Sequence, residues 1–363
     1  MARAPRRRCV MYVVVCGVLL WAITRTAIYE SNGSQTSSRR QRTAVPVGER
    51  KSGNMPASPR PADMAAGQTG NSVSDEMAAR KHKVNQECRG NLTSKYESIY
   101  RDELYKRLLV NNKKRIIFGA LPKVANTNFR RIFLGIAGIV PKEKVFNISG
   151  YEVYNIHASK LNFLDQAPKK DRRRLLDKYK KFTFVRDPLS RLLSGYRNKF
   201  FHPNSVNREE FYNFVKTYYK LHHERKTMRK MRTNFIKGPI TFKEFVTYIL
   251  DCFETNDYVN EHFVPAYLLI QPCRVKYDYI GKFETIHTDT QHIFTELNID
   301  ISFPGRQDNY SSVATDTLVW SYYERLPVAM LKGLLDVFMP DFILFGYKVP
   351  DWIHDRIRNV TIH

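Results

Sequence analysis

Two short polar segments stand where apolar runs end, and their residue types suit the binding of anions. Leu121-Pro-Lys-Val-Ala-Asn-Thr-Asn128 follows Arg115-Ile-Ile-Phe-Gly-Ala120, and Arg186-Asp-Pro-Leu-Ser-Arg-Leu-Leu-Ser194 follows Phe182-Thr-Phe-Val185. A strand that delivers basic and polar residues to a helix N-terminus makes an anion site, because free N–H groups and the positive end of the dipole face the ligand. Two such sites call for a ligand with two phosphate-like groups. In the first, Lys123 supplies a point charge, Thr127 a hydroxyl and Asn128 an amide, and Pro122, Val124, Ala125 and Asn126 complete the loop. The glycine pattern of a Walker loop is absent. A plain strand-to-helix turn with Asn128 as N-cap is the alternative, with Arg130 and Arg131 as surface residues.

In the second segment Arg186 suits bidentate phosphate binding, and Ser194 can bond the same group. Asp187, Pro188, Leu189, Ser190, Leu192 and Leu193 complete it. Arg191 and Arg197 can face ligand or solvent. Between the segments, His157 in Tyr154-Asn-Ile-His-Ala-Ser-Lys160 has an imidazole pKa suited to proton transfer; a structural histidine is the alternative. His262, beside Glu261, is a second candidate base or a substrate contact. Glu284 can orient a base or form an ion pair.

These groups need elements to hold them. The spacing predicts strands at 115–120, 182–185 and Tyr277–Gly281, and helices over 94–109, 128–137, 188–200, 289–297 and 327–337. Pro188 suits a first helical turn. Thr241-Phe-Lys-Glu244 reads as a capping box before an apolar run. Alternating strands and helices indicate an α/β fold, a mostly parallel sheet flanked by helices on both faces.

Of 363 residues, 59 are Lys or Arg and 35 are Asp or Glu, a net charge of +24. That excess calls for a polyanionic partner. The basic residues are interleaved with 21 Tyr and 22 Phe, enough for a packed core. Arg6-Arg7-Arg8 precedes an uncharged, mostly apolar run from Cys9 to Thr24, interrupted at Arg25. A membrane span takes about 17–25 residues, so the run is short, and Arg25 can extend it by snorkelling. The reading is a cytosolic tail at 1–8, a transmembrane signal anchor at 9–28, a flexible luminal stem at 29–85, rich in Ser, Arg, Gly and Pro, and a luminal domain at 86–363. A cleaved signal peptide is the alternative. Sequons at Asn32, Asn91, Asn147, Asn309 and Asn359 agree with a luminal address, which argues against nucleic acid as the partner.

Outside the apolar run the cysteines are Cys88, Cys252 and Cys273, an odd number. Cys252 with Cys273 is one possible bridge. None has metal-ligand spacing with histidine, so no metal is expected. Two basic clusters remain: Lys169–Lys181, and Arg225, Lys226, Arg229, Lys230 and Arg232. Each is a solvated face or a seat for an acidic glycan.

Pro122–Asn128 resembles the 5′-phosphosulfate loop of the HNK-1 family of Golgi carbohydrate sulfotransferases. Val185–Phe200 resembles that family's 3′-phosphate motif. Val259-Asn-Glu-His-Phe263, Gln271-Pro-Cys273, Tyr277–Glu284 and Phe345-Gly-Tyr347 extend the likeness over about residues 85–350, nearest the dermatan and chondroitin 4-O branch. Departures are Asn126 for Cys or Ser, Phe129-Arg130 for Trp-Lys, and Ile270 for the first cysteine of Cys-x-Pro-Cys. The resemblance implies 3′-phosphoadenosine 5′-phosphosulfate as sulfate donor, held by the two segments. It implies Lys123 at the transferred group, a histidine base at about His157, and a glycosaminoglycan acceptor, O-4 of N-acetylgalactosamine first. Terminal glucuronate O-3 on glycoprotein glycans, and a non-catalytic lectin for acidic glycans, are the rivals. The Arg225–Arg232 cluster and His262 would contact the acceptor.

Overall fold

The computed structural model describes residues 72–90, 96–201, 240–305 and 315–361. The proposed anchor, the sequons at Asn32, Asn91 and Asn309, and the whole Arg225–Arg232 cluster lie outside the described residues. Asn147 and Asn359 are exposed.

The core of the site is a four-stranded sheet in the order β1-β2-β3-β4. β1 (Leu108–Asn111) pairs antiparallel with β2 (Ile116–Gly119). β2 runs parallel to β3 (Lys180–Val185), and β3 parallel to β4 (Tyr279–Lys282). Two of the three pairings are parallel, and the β2 and β3 side chains are buried apart from Lys180. Buried parallel strands read as continuous apolar runs, which is why both were visible in the sequence. β1 was not: the helical spacing expected over 94–109 resolves into short helical turns that end at Arg107, and Leu108 opens the strand.

Helices follow the strands that carry the polar segments. α1 (Val73–Glu87) precedes the sheet in the chain and packs on β4. α2 (Asn126–Ile136) follows β2 and buries Phe129, Ile132, Phe133 and Ile136, a stripe at i, i+3, i+4, i+7. α3 (Lys169–Lys178) leads into β3, and α4 (Pro188–Tyr196) leaves it, capped by Asp187, whose carboxylate accepts from Ser190 N at 2.8 Å. α5 (Phe242–Thr255) starts with the expected capping box, Thr241 Oγ1 and Glu244 each bonding the other's backbone N–H. Short α6 (Ala266–Ile270) precedes β4; α7 (Ile286–Glu296), α8 (Thr315–Tyr323), α9 (Val328–Phe345) and α10 (Asp351–Thr361) follow it. Phe118, Phe129, Phe182 and Phe184 pack between sheet and α2, with centroid separations of 4.6 to 5.0 Å for Phe118–Phe129, Phe118–Phe182 and Phe129–Phe184.

Two expectations are corrected. Most of α1 falls in the segment read as stem. Its composition is polar, but Met77 and Val84 are buried, and Arg80 reaches Asp289 at 2.5 Å. α1 also sets the disulfide. Its C-cap brings Cys88 to Cys273, with Cα atoms 5.3 Å apart, a normal bridging distance. The bridge considered between Cys252 and Cys273 is therefore not formed; Cys252 is a buried thiol in α5.

Candidate active site

The first polar segment is a tight, unusual turn. Lys123 (φ 71°) and Ala125 (φ 51°) both adopt left-handed backbone, a conformation that costs a non-glycine residue free energy and is kept where the surroundings impose it. Ala125, not Asn128, is the N-cap of α2. The first N–H groups of a helix lack intrahelical partners, so the turn aims an anion-seeking end along the top of the sheet. Asn126 Oδ1 is buried with no hydrogen-bond partner. Thr127 Oγ1 lies 3.3 Å from the Tyr154 hydroxyl. Asn128 Oδ1 accepts from Arg131 at 2.8 Å, so this amide is used internally. Val124 is buried in the core and packs rather than binds.

The second segment splits by role. Arg186, 6% exposed, lies against the Phe283 ring at 4.4 Å and reaches the Lys123 carbonyl at 3.5 Å, joining the two segments. Ser194 is partly exposed on α4. Leu189, Leu192 and Leu193 are core residues, at 1% exposure or less. Pro188 and Ser190 are buried in the first turn. Arg191 is corrected most sharply. It does not face solvent: it is completely buried and donates to the carbonyls of Pro122 and Val264. Among the described residues Glu284 forms no ion pair; it accepts from Asp187 N at 2.9 Å and Tyr347 Oη at 2.8 Å.

The segment from Val259 to Pro265 enters from the other side and brings His262. Tyr100 Oη accepts from Val259 N at 2.9 Å. Asp341, buried in α9, accepts from Ala266 N at 2.6 Å and Tyr267 N at 2.8 Å, capping α6; burial pushes its carboxyl up to about 6. Arg191 ties down Val264. Gly195 of α4 lets the chain close in: a Cβ there would sit 3.0 Å from the His262 carbonyl oxygen. Asn260 Oδ1 lies 3.1 Å from His262 N and 2.7 Å from His262 Nδ1. The backbone N–H can only donate, so the shared amide atom is an acceptor oxygen, and Nδ1 must carry a proton toward it. In the neutral ring that leaves Nε2 with the lone pair.

Lys123 is pushed down to about 7, first by desolvation and then by the charges of Lys199, Arg186 and Arg191. Desolvation, with Lys199, Lys123, Arg107 and Arg191, holds His262 well below the usual imidazole value. Two carboxylates act on this group: Glu261 pairs with Arg107, and Asp341 lies within the field of Arg191. Cations gathered in a desolvated site favour the entry of an anion.

His157 ends a π-helical turn, Glu152–Ile156, and is partly buried; its Nδ1 has no hydrogen-bond partner. Lys199, 8% exposed in the turn after α4, belongs to the cation group around Lys123 and His262 and was missed. The Lys169–Lys181 cluster is largely spent locally: Arg173 pairs with Asp177 and Arg174 with Asp171, both at 3.1 Å, and Arg172 donates to the carbonyls of Ala167 and Asp165.

A family model described as "Sulfotransferase family" matches residues 106–348. The chain is 34% identical over 263 residues to carbohydrate sulfotransferase 14 of Danio rerio, covering 72% of this chain and 67% of that protein. It is 31% identical to carbohydrate sulfotransferase 12 of Xenopus laevis, covering 67% of this chain and 60% of that one. It is 28% identical to carbohydrate sulfotransferase 11 of Rattus norvegicus over 76% of each. No solved structure matches. The chain belongs to the sulfotransferase family, and within it to the carbohydrate sulfotransferases.

Proposed function

We propose that this protein moves sulfate from 3′-phosphoadenosine 5′-phosphosulfate to a glycosaminoglycan hydroxyl, O-4 of N-acetylgalactosamine in chondroitin or dermatan. The reading also places it in the Golgi membrane, anchored by residues 9–28 with the domain luminal; the triple-arginine flank and the sequons support that.

One observation carries the donor assignment: buried Arg186 reaches the Lys123 carbonyl at 3.5 Å, so the two polar segments present their cations together, and burial with those cations pushes Lys123 down to about 7. A dianion restores the missing charge. The donor set fits the sulfonucleotide: the Lys123 turn and the α2 N-terminus for the phosphosulfate end, Arg186 and Ser194 for the 3′-phosphate. When bound, the donor supplies an activated sulfuryl group. Transfer of such a group is governed by positioning and charge, as in phosphoryl transfer. Lys123 and Lys199 offset charge that builds on the leaving oxygen. His262 Nε2 accepts the proton of the acceptor hydroxyl. Asn260 Oδ1 accepts from Nδ1–H, holding the ring in that tautomer as the positive charge arrives. The neighbouring cations keep His262 neutral until negative charge enters beside them, so the base strengthens when the site is filled. The base assigned to His157 therefore moves to His262. The Arg225–Arg232 cluster remains the proposed acceptor contact.

The test is product analysis. The full-length enzyme, radiolabelled donor and a panel of desulfated glycosaminoglycans should yield 4-O-sulfated N-acetylgalactosamine disaccharides. Label on glucuronate O-3 would replace the acceptor assignment. No binding of adenosine 3′,5′-bisphosphate would overturn the donor site and favour a lectin.

A further inference from the structure

Tyr154 is exposed yet tied into the site. Its side chain is 42% exposed, on a π-helical turn anchored by buried Val153, with Ile156 in the turn and Tyr151 just before it exposed as well. Such turns cluster at functional sites. The Tyr154 hydroxyl meets Thr127 Oγ1 of the Lys123 turn at 3.3 Å. The Arg130 guanidinium backs the ring at 4.8 Å from its centroid and is itself backed by Phe163 at 5.1 Å. Arg130 also lies within the fields of Glu261 and Arg107, the ion pair beside His262. The ring thus meets the Lys123 turn directly, and the guanidinium behind it feels the ion pair next to His262. It packs in no core. It is a flat, pre-positioned apolar surface, fixed at its hydroxyl and stiffened from behind.

We propose that Tyr154 is a stacking platform for the acceptor sugar and sets acceptor specificity. This rests on the carbohydrate sulfotransferase reading. A pyranose presents one face of C–H groups, weakly positive, which suits the negative face of an aromatic ring. Stacking there would lay the sugar beside His262 with its hydroxyl directed at the site, at little entropic cost because the ring is already held.

The experiment compares full-length wild type with Tyr154→Ala and Tyr154→Phe. Acceptor and donor KM are measured on desulfated chondroitin, and the affinity for adenosine 3′,5′-bisphosphate by calorimetry. In Tyr154→Ala, acceptor KM should rise about tenfold, the scale of one aromatic stack, while nucleotide affinity stays within about twofold. Tyr154→Phe keeps the ring and should keep the acceptor KM near wild type. Unchanged acceptor KM in Tyr154→Ala overturns the platform. A loss of nucleotide affinity instead assigns the ring to the donor and overturns it too. A wild type that binds the nucleotide but sulfates no glycan overturns the carbohydrate reading and the platform with it.

Discussion

The two candidate histidines sit in turns built in opposite ways. The His262 turn is braced by Tyr100, Asn260, Arg191 and Asp341, with Gly195 giving α4 room to approach; Tyr100, Arg191 and Asp341 come from distant parts of the chain, and Asn260 lies two residues back. The His157 turn projects Tyr151, Tyr154 and Ile156 to solvent, and its charged hydrogen bonds are local, such as Ser149 N to Glu152 at 2.7 Å. A base must be held within tenths of an ångström of its proton, with its tautomer set. A surface that meets varied sugars gains from exposure instead. The difference is what favours the proposed division, with proton transfer at the first turn and acceptor contact at the second.

The largest effect that could break this comparison is in kcat. His262→Ala should lower it by about 10²- to 10⁴-fold, the usual worth of a general base, while nucleotide affinity persists. His157→Ala should leave kcat within about threefold, far below a general base's contribution. The opposite ranking would return the base to His157. Next in size is the donor site. Lys123→Ala and Arg186→Ala should each weaken adenosine 3′,5′-bisphosphate by about 2–5 kcal/mol, as for buried charge pairs. Equal affinity in both variants would remove the site. Asn260→Ala should lower kcat by about tenfold, the worth of one hydrogen bond to a charged group, and shift the pH profile; Asn260→Asp should restore part of the loss. A structural role alone would leave the profile unmoved.

A smaller effect sharpens the electrostatic half. Lys123 titrates near 7 when folded and at its ordinary higher value, 10.5, when unfolded. The unfolded chain therefore binds more protons between those values, and stability rises with pH across that window. A bound dianion keeps the ammonium charged. Nucleotide binding at pH 8 should then take up a proton and weaken as pH climbs above 7. Calorimetry in buffers of different ionisation enthalpy reads this directly; proton release would contradict it.

Much of this was legible where the physics is local. β2 and β3 are apolar runs, Thr241–Glu244 is a capping box, and both polar segments lie after the strands that present them. The rest depends on long-range packing. β1 hid inside a helical spacing. α1 shows only two fully buried residues, too few for a visible stripe. Cys88 and Cys273 meet across 185 residues. Arg191 shares a motif with Arg186, and only the packed chain shows that it braces the carbonyls of Pro122 and Val264. Lys199 lay within the quoted motif, five residues beyond Ser194, and the turn after α4 folds it back. Asn260, two residues before His262, was the one signal of a set tautomer that the sequence displayed.

The central claim is that His262 waits as a neutral base with its lone pair on Nε2. Long-range ¹⁵N–¹H spectroscopy of the histidine side chains at pH 7 tests it most directly. The account predicts a His262 ring protonated at Nδ1, with Nε2 bare, and conversion toward imidazolium only well below pH 6.5. A ring that is already imidazolium at pH 7, or that carries its proton on Nε2, would contradict it.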